Sequence, residues 1–339
     1  MFPHLFNALS IVIPVLSSTF AAVGRFLKHA GNESLGMLVV DEAGQAIPQS
    51  ALGAIYRTKQ AIIVGDPLQV EPVVTIPRVL IDILADSVGV ESKYKVIENS
   101  VQTFADCINE FNGMIGERQV GCPLVVHRRC IEPMFSISNM ISYDNRMFNM
   151  TNKKEEYLKE EQPFLLKKSG WIDVVGPENG RKNHFVKNQA EKVCQLLEQA
   201  VEIYDNLFER DECIFIITPF RTVAESMRSF VNDYFRNKGY DRDCLISWTK
   251  KCIGTVHTFQ GKGANEVLFV LGCSKMSVGA MNWVVKKANI LNVAVTRAKY
   301  RIGFIGDMQD WKKLKYFREF IPYLIDEIQV DDSSCLFTS

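Results

Sequence analysis

Two adjacent carboxylates close a short apolar run: Met37-Leu38-Val39-Val40 leads into Asp41-Glu42-Ala43-Gly44-Gln45. At the carboxyl end of a buried strand, one carboxylate can hold Mg2+ while its neighbour orients or deprotonates a water that attacks a phosphate. That reading makes Asp41 the metal residue and Glu42 the base, although a solvated turn after any strand holds the same pair equally well. A second apolar run, Ala61-Ile62-Ile63-Val64, ends in Gly65-Asp66-Pro67-Leu68-Gln69. The Gln69 amide can donate to a phosphate oxygen and accept from water, so it can report whether a γ-phosphate is present. The plain alternative is a Gly-Asp-Pro turn with an incidental glutamine.

These groups act together only if a sheet brings the strand ends side by side. The runs Met37–Val40, Ala61–Val64, Ile214–Ile217, Val267–Leu271 and Ile302–Ile305 are continuously apolar rather than alternating. That pattern predicts strands covered on both faces, hence an α/β fold with parallel sheets and helices on either side. A helix is expected over Asn188–Tyr204, with Ala190, Val193, Cys194, Leu197, Ala200, Val201 and Tyr204 on one face and a capping box from Asn188 and Glu191. Met1 to Gly24 has no charged residue, but its prolines and hydroxyls and the late first basic residue, Arg25, exclude a signal peptide and a membrane span. A buried strand with flanking turns is expected there.

The chain has 339 residues, 47% of them apolar and 23% charged, which suits two globular domains and excludes disorder and fibrous repeats. Lys plus Arg is 39 and Asp plus Glu is 39, so any nucleic-acid contact must be a local patch rather than a net positive field. Nine scattered cysteines without a Cys-x-x-Cys pair argue against a disulfide framework or zinc ribbon and for a reducing, intracellular compartment, cytoplasmic or nuclear. The stretch Asn149–Gly170, rich in Lys and Glu, is expected to be an exposed surface segment without a chemical role.

Asp-Glu-Ala-Gly-Gln followed by Gly-Asp-Pro-x-Gln resembles motifs II and III of the superfamily 1 helicases, branch B, the group that includes the nonsense-mediated-decay RNA helicase and its DNA-acting relatives. Later segments resemble the same family in order. His127-Arg128-Arg129-Cys130 with Pro133 and Tyr143 is similar to its Gln-Tyr-Arg-Met-His-Pro segment, and Ile214 to Arg221 to motif IV. Gly254-Thr255-Val256-His257-Thr258-Phe259-Gln260-Gly261 is similar to motif V, and Asn292 to Lys299 to motif VI.

The resemblance implies two RecA-like P-loop NTPase folds, ATP and Mg2+ as cofactors, and single-stranded or duplex DNA or RNA as partner. Arg129 and Arg297 would be the guanidinium forks that stabilise charge on the γ-phosphate, while Arg128 and Arg301 otherwise read as surface ion pairs. Arg128 stands where the nonsense-mediated-decay helicase places Tyr against the adenine, and a guanidinium plane can also stack on a base. The Gly261 turn would bring backbone amides close to phosphates, with Thr255 and Gln260 carrying the coupling to nucleic acid. Thr218 and Thr19, at expected strand ends, suit sequence-independent phosphate contacts or structural caps. His257 and the four tryptophans could stack bases, with buried packing as the alternative.

One family element is missing from this sequence: it contains no glycine-rich loop ending in Gly-Lys-Ser/Thr, which would cradle the β- and γ-phosphates. The expectation is therefore that the chain starts downstream of that loop and needs an upstream segment to supply it. Residues 1–120 would be the remainder of a first RecA-like domain, 121–330 a complete second one and 331–339 a tail. A non-catalytic binding remnant is the alternative. Gly263 also replaces the Glu of the family's Gln-Gly-x-Glu, leaving its ribose or backbone contact without a carrier.

Overall fold

The computed structural model describes residues 2–91, 94–95, 99–115, 118–151, 164–180 and 183–325. Most of the mixed-charge stretch Asn149–Gly170 and the whole 331–339 tail lie outside the described residues. The chain divides into two compact units, Met1–Leu124 and Val125–Ser339.

In the first unit, strands β1 (Leu35–Val40) and β2 (Thr58–Ile63) pair in parallel, joined through the helix Pro48–Ile55. Among the described residues up to Gly24 there is no strand. Helices Phe2–Val12 and Phe20–Phe26 occupy this stretch instead. Pro3 is tolerated in the first turn of a helix, and Pro14 disfavours helical continuation just beyond Val12. Alternate residues of β1 point to opposite sides. Val40 packs with Ala43, Ala51 and Val101, and Leu38 lies against the cluster Val23, Leu27, Ala30 and Ala54. Met37 and Val39 are exposed, as is Ile62 of β2. The expectation of burial on both faces therefore fails here, because the helices packed on this sheet in the described residues lie on one face. A hairpin of β3 (Gly113–Ile115) and β4 (Arg118–Val120) follows the helix Val101–Ile108. That helix opens on a capping box formed by Ser100 and Thr103.

In the second unit, β5 (Val126–His127) pairs with β6 (Phe148–Asn149). The main sheet comprises β7 (Gly170–Asp173), β8 (Ile214–Thr218), β9 (Ile253–Thr255), β10 (Ala264–Val270) and β11 (Ala298–Gly306). Among the described residues it is five-stranded, in the order β7-β11-β10-β8-β9, with every pair parallel. Here the continuous apolar runs are buried throughout, as a sheet covered on both faces requires. The expected helix spans Lys187–Ile203 and buries Ala190, Val193, Cys194, Leu197 and Ala200. Its capping box is absent: Val186 is the N-cap, and Asn188, inside the helix, donates from Nδ2 to the Val175 carbonyl at 2.9 Å. The eight cysteines within the described regions are free thiols, five of them buried. No described helix is long and apolar enough to cross a membrane.

Candidate functional site

The Asp-Glu and Gly-Asp-Pro turns meet at adjacent strand ends. Val64 N donates to Val40 O at 2.8 Å and Ala43 N to Val64 O at 2.9 Å, so the parallel pairing continues one step beyond the strands. Two glycines permit the approach. A Cβ on Gly44 would lie 2.7 Å from the Asp66 carbonyl oxygen, and one on Gly65 would lie 2.6 Å from Gly44 N. Gly44→Ala is expected to cost about 1–3 kcal/mol, because the nearest atoms are backbone and cannot rotate away. An unchanged urea midpoint for this variant would contradict so close an approach.

Within these turns Glu42 adopts a left-handed conformation at φ 53°, and its N–H donates to Asp41 Oδ1 at 2.8 Å. Asp41 is exposed and Glu42 half-buried. Gln69 is half-buried and donates from Nε2 to Asp66 Oδ2 at 3.0 Å, while Asp66 Oδ1 accepts from Leu68 N at 2.9 Å. Asp66, which the sequence reading gave no role, thus aims the glutamine. Thr19 is not at a strand end but is the exposed N-cap of Phe20–Phe26, with no side-chain cap bond. Ser17, Ser18 and Arg25 line a shallow depression next to it, a set of hydroxyls and a guanidinium suited to phosphate oxygens.

In the second unit the candidate residues separate onto two edges of one sheet. Thr218 and Thr255 are partners in the β8–β9 register, at the carboxyl edge. Thr218 is buried, and its hydroxyl accepts from Phe220 N at 3.4 Å, which commits it to its own turn. Thr255 is half-buried, with its hydroxyl 3.3 Å from that of Thr258.

Arg129 and Arg297 come to the opposite edge, at the amino end of β11. Ile131 N donates to Lys299 O at 3.2 Å, and Arg297 immediately precedes the strand. His127 closes the tight turn below Arg128 and Arg129, its Nε2 accepting from Cys130 N at 3.0 Å, and both arginines are exposed. Helix Met134–Ser142 packs on helix Asn289–Arg297, where buried Asn292 accepts from the Ser138 hydroxyl at 2.7 Å and donates to the Tyr143 hydroxyl at 3.0 Å.

Arg297 differs from Arg129 in being fully buried. Its Nη1 donates to Phe259 O at 3.2 Å and Lys262 O at 2.9 Å, its Nε to Val293 O at 3.1 Å and its Nη2 to Thr296 Oγ1 at 3.2 Å. The fork holds the turn that carries Gln260 and Gly261, and Gly261 has a φ of 76° that favours glycine. Gly263 lies against the same arginine, since a Cβ there would be 3.3 Å from Arg297 O. Segment 255–264 thus runs from the carboxyl end of β9 to the amino end of β10, linking the two edges.

Sequence reasoning passed over Glu266, fully buried in β10, which accepts from Leu166 N at 2.7 Å, Leu165 N at 2.8 Å and the Tyr204 hydroxyl at 2.6 Å. Its register partner Arg301 is half-buried rather than at the open surface, donates to Leu166 O and lies over the Phe164 ring. Glu178, His184 and Cys273 bring ligand atoms within 4.8 Å of one another. Glu178 nevertheless already accepts from His184 N at 3.2 Å and Ser274 N at 2.9 Å, the pattern of a loop staple. These bonds, with one from Ser277, hold its carboxyl below the ordinary range against the opposing pull of burial.

Residues 110–309 match a family model described as AAA domain, and residues 5–76 match a second model of the same description. The chain is 23% identical over 332 residues to the probable helicase senataxin of Mus musculus, covering 93% of this chain and 11% of that protein. It is 24% identical over 315 residues to an uncharacterized ATP-dependent helicase of Methanocaldococcus jannaschii (87% and 40%). To the ATP-dependent helicase upf1 of Schizosaccharomyces pombe it is 22% identical over 293 residues (84% and 28%). Among solved structures, an arterivirus nonstructural protein 10 helicase in complex with DNA overlays 82% of this chain and 41% of that one, at 13% identity and a TM-score of 0.37. The chain thus spans well under two thirds of the length of these curated relatives. With its ordered motifs and the family match over 110–309, the chain belongs to the AAA domain family, in its superfamily 1 helicase group.

Proposed function

We propose that this chain carries the part of an ATP-dependent helicase motor that lies downstream of the phosphate loop, coupling hydrolysis to movement along, and unwinding of, DNA or RNA. The observation that carries this reading is the backbone-to-backbone contact of the Asp41-Glu42 and Asp66-to-Gln69 turns at neighbouring strand ends. An exposed carboxylate at a strand end is a hard oxygen donor of the kind Mg2+ takes, so Asp41 fits the cation. The Gly-Lys-Ser/Thr cradle is absent from these residues and would come from an upstream segment.

Bound ATP would supply the phosphoanhydride to be cleaved, and Mg2+ would neutralise charge on its phosphate oxygens. Glu42 takes the proton of the attacking water, and Gln69, aimed by Asp66, orients that water against a phosphate oxygen. On the family resemblance Arg129, exposed at its turn in the second unit, would supply a guanidinium fork for a phosphate. Arg297 holds the Phe259–Lys262 turn, so that a change at the nucleotide edge reaches Thr255 at the other edge through segment 255–264.

In a protein that joins this chain to a Gly-Lys-Ser/Thr loop, Glu42→Gln is expected to lower nucleic-acid-stimulated ATP hydrolysis by about 10²–10⁴-fold and leave nucleic-acid affinity unchanged. Undiminished turnover would remove Glu42 from the chemistry. The second reading is a non-catalytic nucleic-acid or protein-binding remnant. Sub-millimolar ATP binding by the isolated chain in a calorimetric titration would count against it.

A further inference from the structure

Trp171, Trp248 and Trp311 are buried at 5%, 2% and 0% exposure, whereas Trp283 is 49% exposed. An indole left half in water loses the apolar burial that the other three have, so packing alone does not account for it. Its place in the fold is specific. Trp283 lies near the end of the helix Val278–Val284, with its ring 5.9 Å from that of Phe220 at an interplanar angle of 37°. Phe220 follows Thr218 by two residues and is tied to it by its backbone N–H, so Trp283 stands at the carboxyl edge of the sheet, where Thr218 and Thr255 lie side by side. Ligands of open α/β sheets bind outside that edge.

The chain on either side of this helix is basic. Lys275, Lys286 and Lys287 are exposed on the segments flanking this helix, and Lys286 N donates to Trp283 O at 3.2 Å. Arg221, next to Phe220, is also exposed, with its charge shared with Glu225 at 2.8 Å. An exposed aromatic ring among cationic side chains is the combination that holds single-stranded nucleic acid: the charges track phosphates and the ring stacks on a base without reading its identity.

We propose that Trp283 is a base-stacking residue for single-stranded nucleic acid, seated on Phe220 and flanked by Lys275, Lys286 and Lys287. The proposal rests on the nucleic-acid reading given above and adds the contact to the bases that the half-open Thr255, as a phosphate-binding group, does not supply.

The test compares an oligothymidylate with an abasic oligomer of the same length, each titrated into the full chain. Anisotropy of the labelled strand gives affinity, and acrylamide quenching of tryptophan emission gives exposure of Trp283, since the other three indoles are buried. The expected result is tighter binding of the base-bearing strand, with protection of the quenchable emission. Trp283→Ala is expected to weaken that strand by about five- to a hundredfold and to leave the abasic strand and the salt dependence unchanged. Trp283→Phe, which keeps an aromatic face, should restore most of the loss and excludes misfolding as its source. If the chain binds oligothymidylate but Trp283→Ala binds equally well, the stacking proposal is overturned and the nucleic-acid reading stands. If neither strand binds, both fall.

Discussion

Replacing Glu266 with alanine is expected to destabilise the second unit by about 3–5 kcal/mol, the usual consequence of breaking a buried, fully bonded ionic group. The carboxylate is enclosed in the central strand β10 and accepts from two successive backbone N–H groups, of Leu165 and Leu166, and from the Tyr204 hydroxyl. Alanine leaves all three donors buried without an acceptor and opens a cavity between β10 and the chain leading into β7. Glu266→Gln keeps one oxygen but turns an amide NH2 toward at least one donor, so a smaller loss of about 1–3 kcal/mol is expected.

Burial holds this carboxyl above its ordinary 4.5, outweighing the three hydrogen bonds that pull it down. The folded unit therefore binds the proton more tightly than the unfolded chain. The stabilisation from that proton is full below pH 4.5 and is lost as the pH rises through the higher folded value. Glu266→Gln should flatten this part of the stability profile. Chemical denaturation at several pH values, followed through the emission of the buried tryptophans, measures both effects, and an alanine variant as stable as the parent would show that the network carries no free energy.

Arg297→Ala should also lower the stability of the second unit by about 3–5 kcal/mol, and should do so without nucleotide. An arginine whose only duty is to meet a phosphate would leave the apo protein unchanged when removed. Arg297 instead spends its donors on four acceptors of its own unit, two of them the carbonyls of Phe259 and Lys262. Loss of the fork frees the turn at Gln260 and Gly261, so hydrogen exchange at 259–263 should accelerate more than exchange in β10. Arg297→Lys keeps the charge but cannot reproduce the planar fork, and is expected to recover only part of the stability. Equal thermal midpoints for Arg297→Ala and the parent would mean that the clamp has no weight and leave the phosphate role alone.

The strands of the second unit were legible in the sequence because residues covered on both faces are continuously apolar, and Ile214–Thr218 and Ala264–Val270 are such runs. The same pattern misled at β1, where Met37 and Val39 stay exposed, because apolarity marks what can be buried and only the packed helices decide what is. Residues 1–24 went wrong for a related reason. Frequent prolines and hydroxyls suggested turns, but Pro3 stands in a helix's first turn and Pro14 beyond its end, where neither breaks it. Asn188 and Glu191 have capping-box spacing, yet the backbone turns helical earlier, after Val186.

For the candidate site, the sequence by itself determined the chemistry on offer: carboxylates at Asp41 and Glu42, an amide at Gln69, guanidiniums at Arg129 and Arg297, and the family to which their order belongs. Tertiary structure alone decided which of these groups face solvent. Thr218 and Thr255 look alike in the sequence, but one hydroxyl is buried on its own turn and the other is half open. Arg129 and Arg297 look equivalent, but one is exposed and the other is clamped to carbonyls more than thirty positions away in the chain. One tryptophan of four remains at the surface. In each case the partner that buries or exposes the group lies far off in sequence, and local periodicity carries no information about contacts of that range.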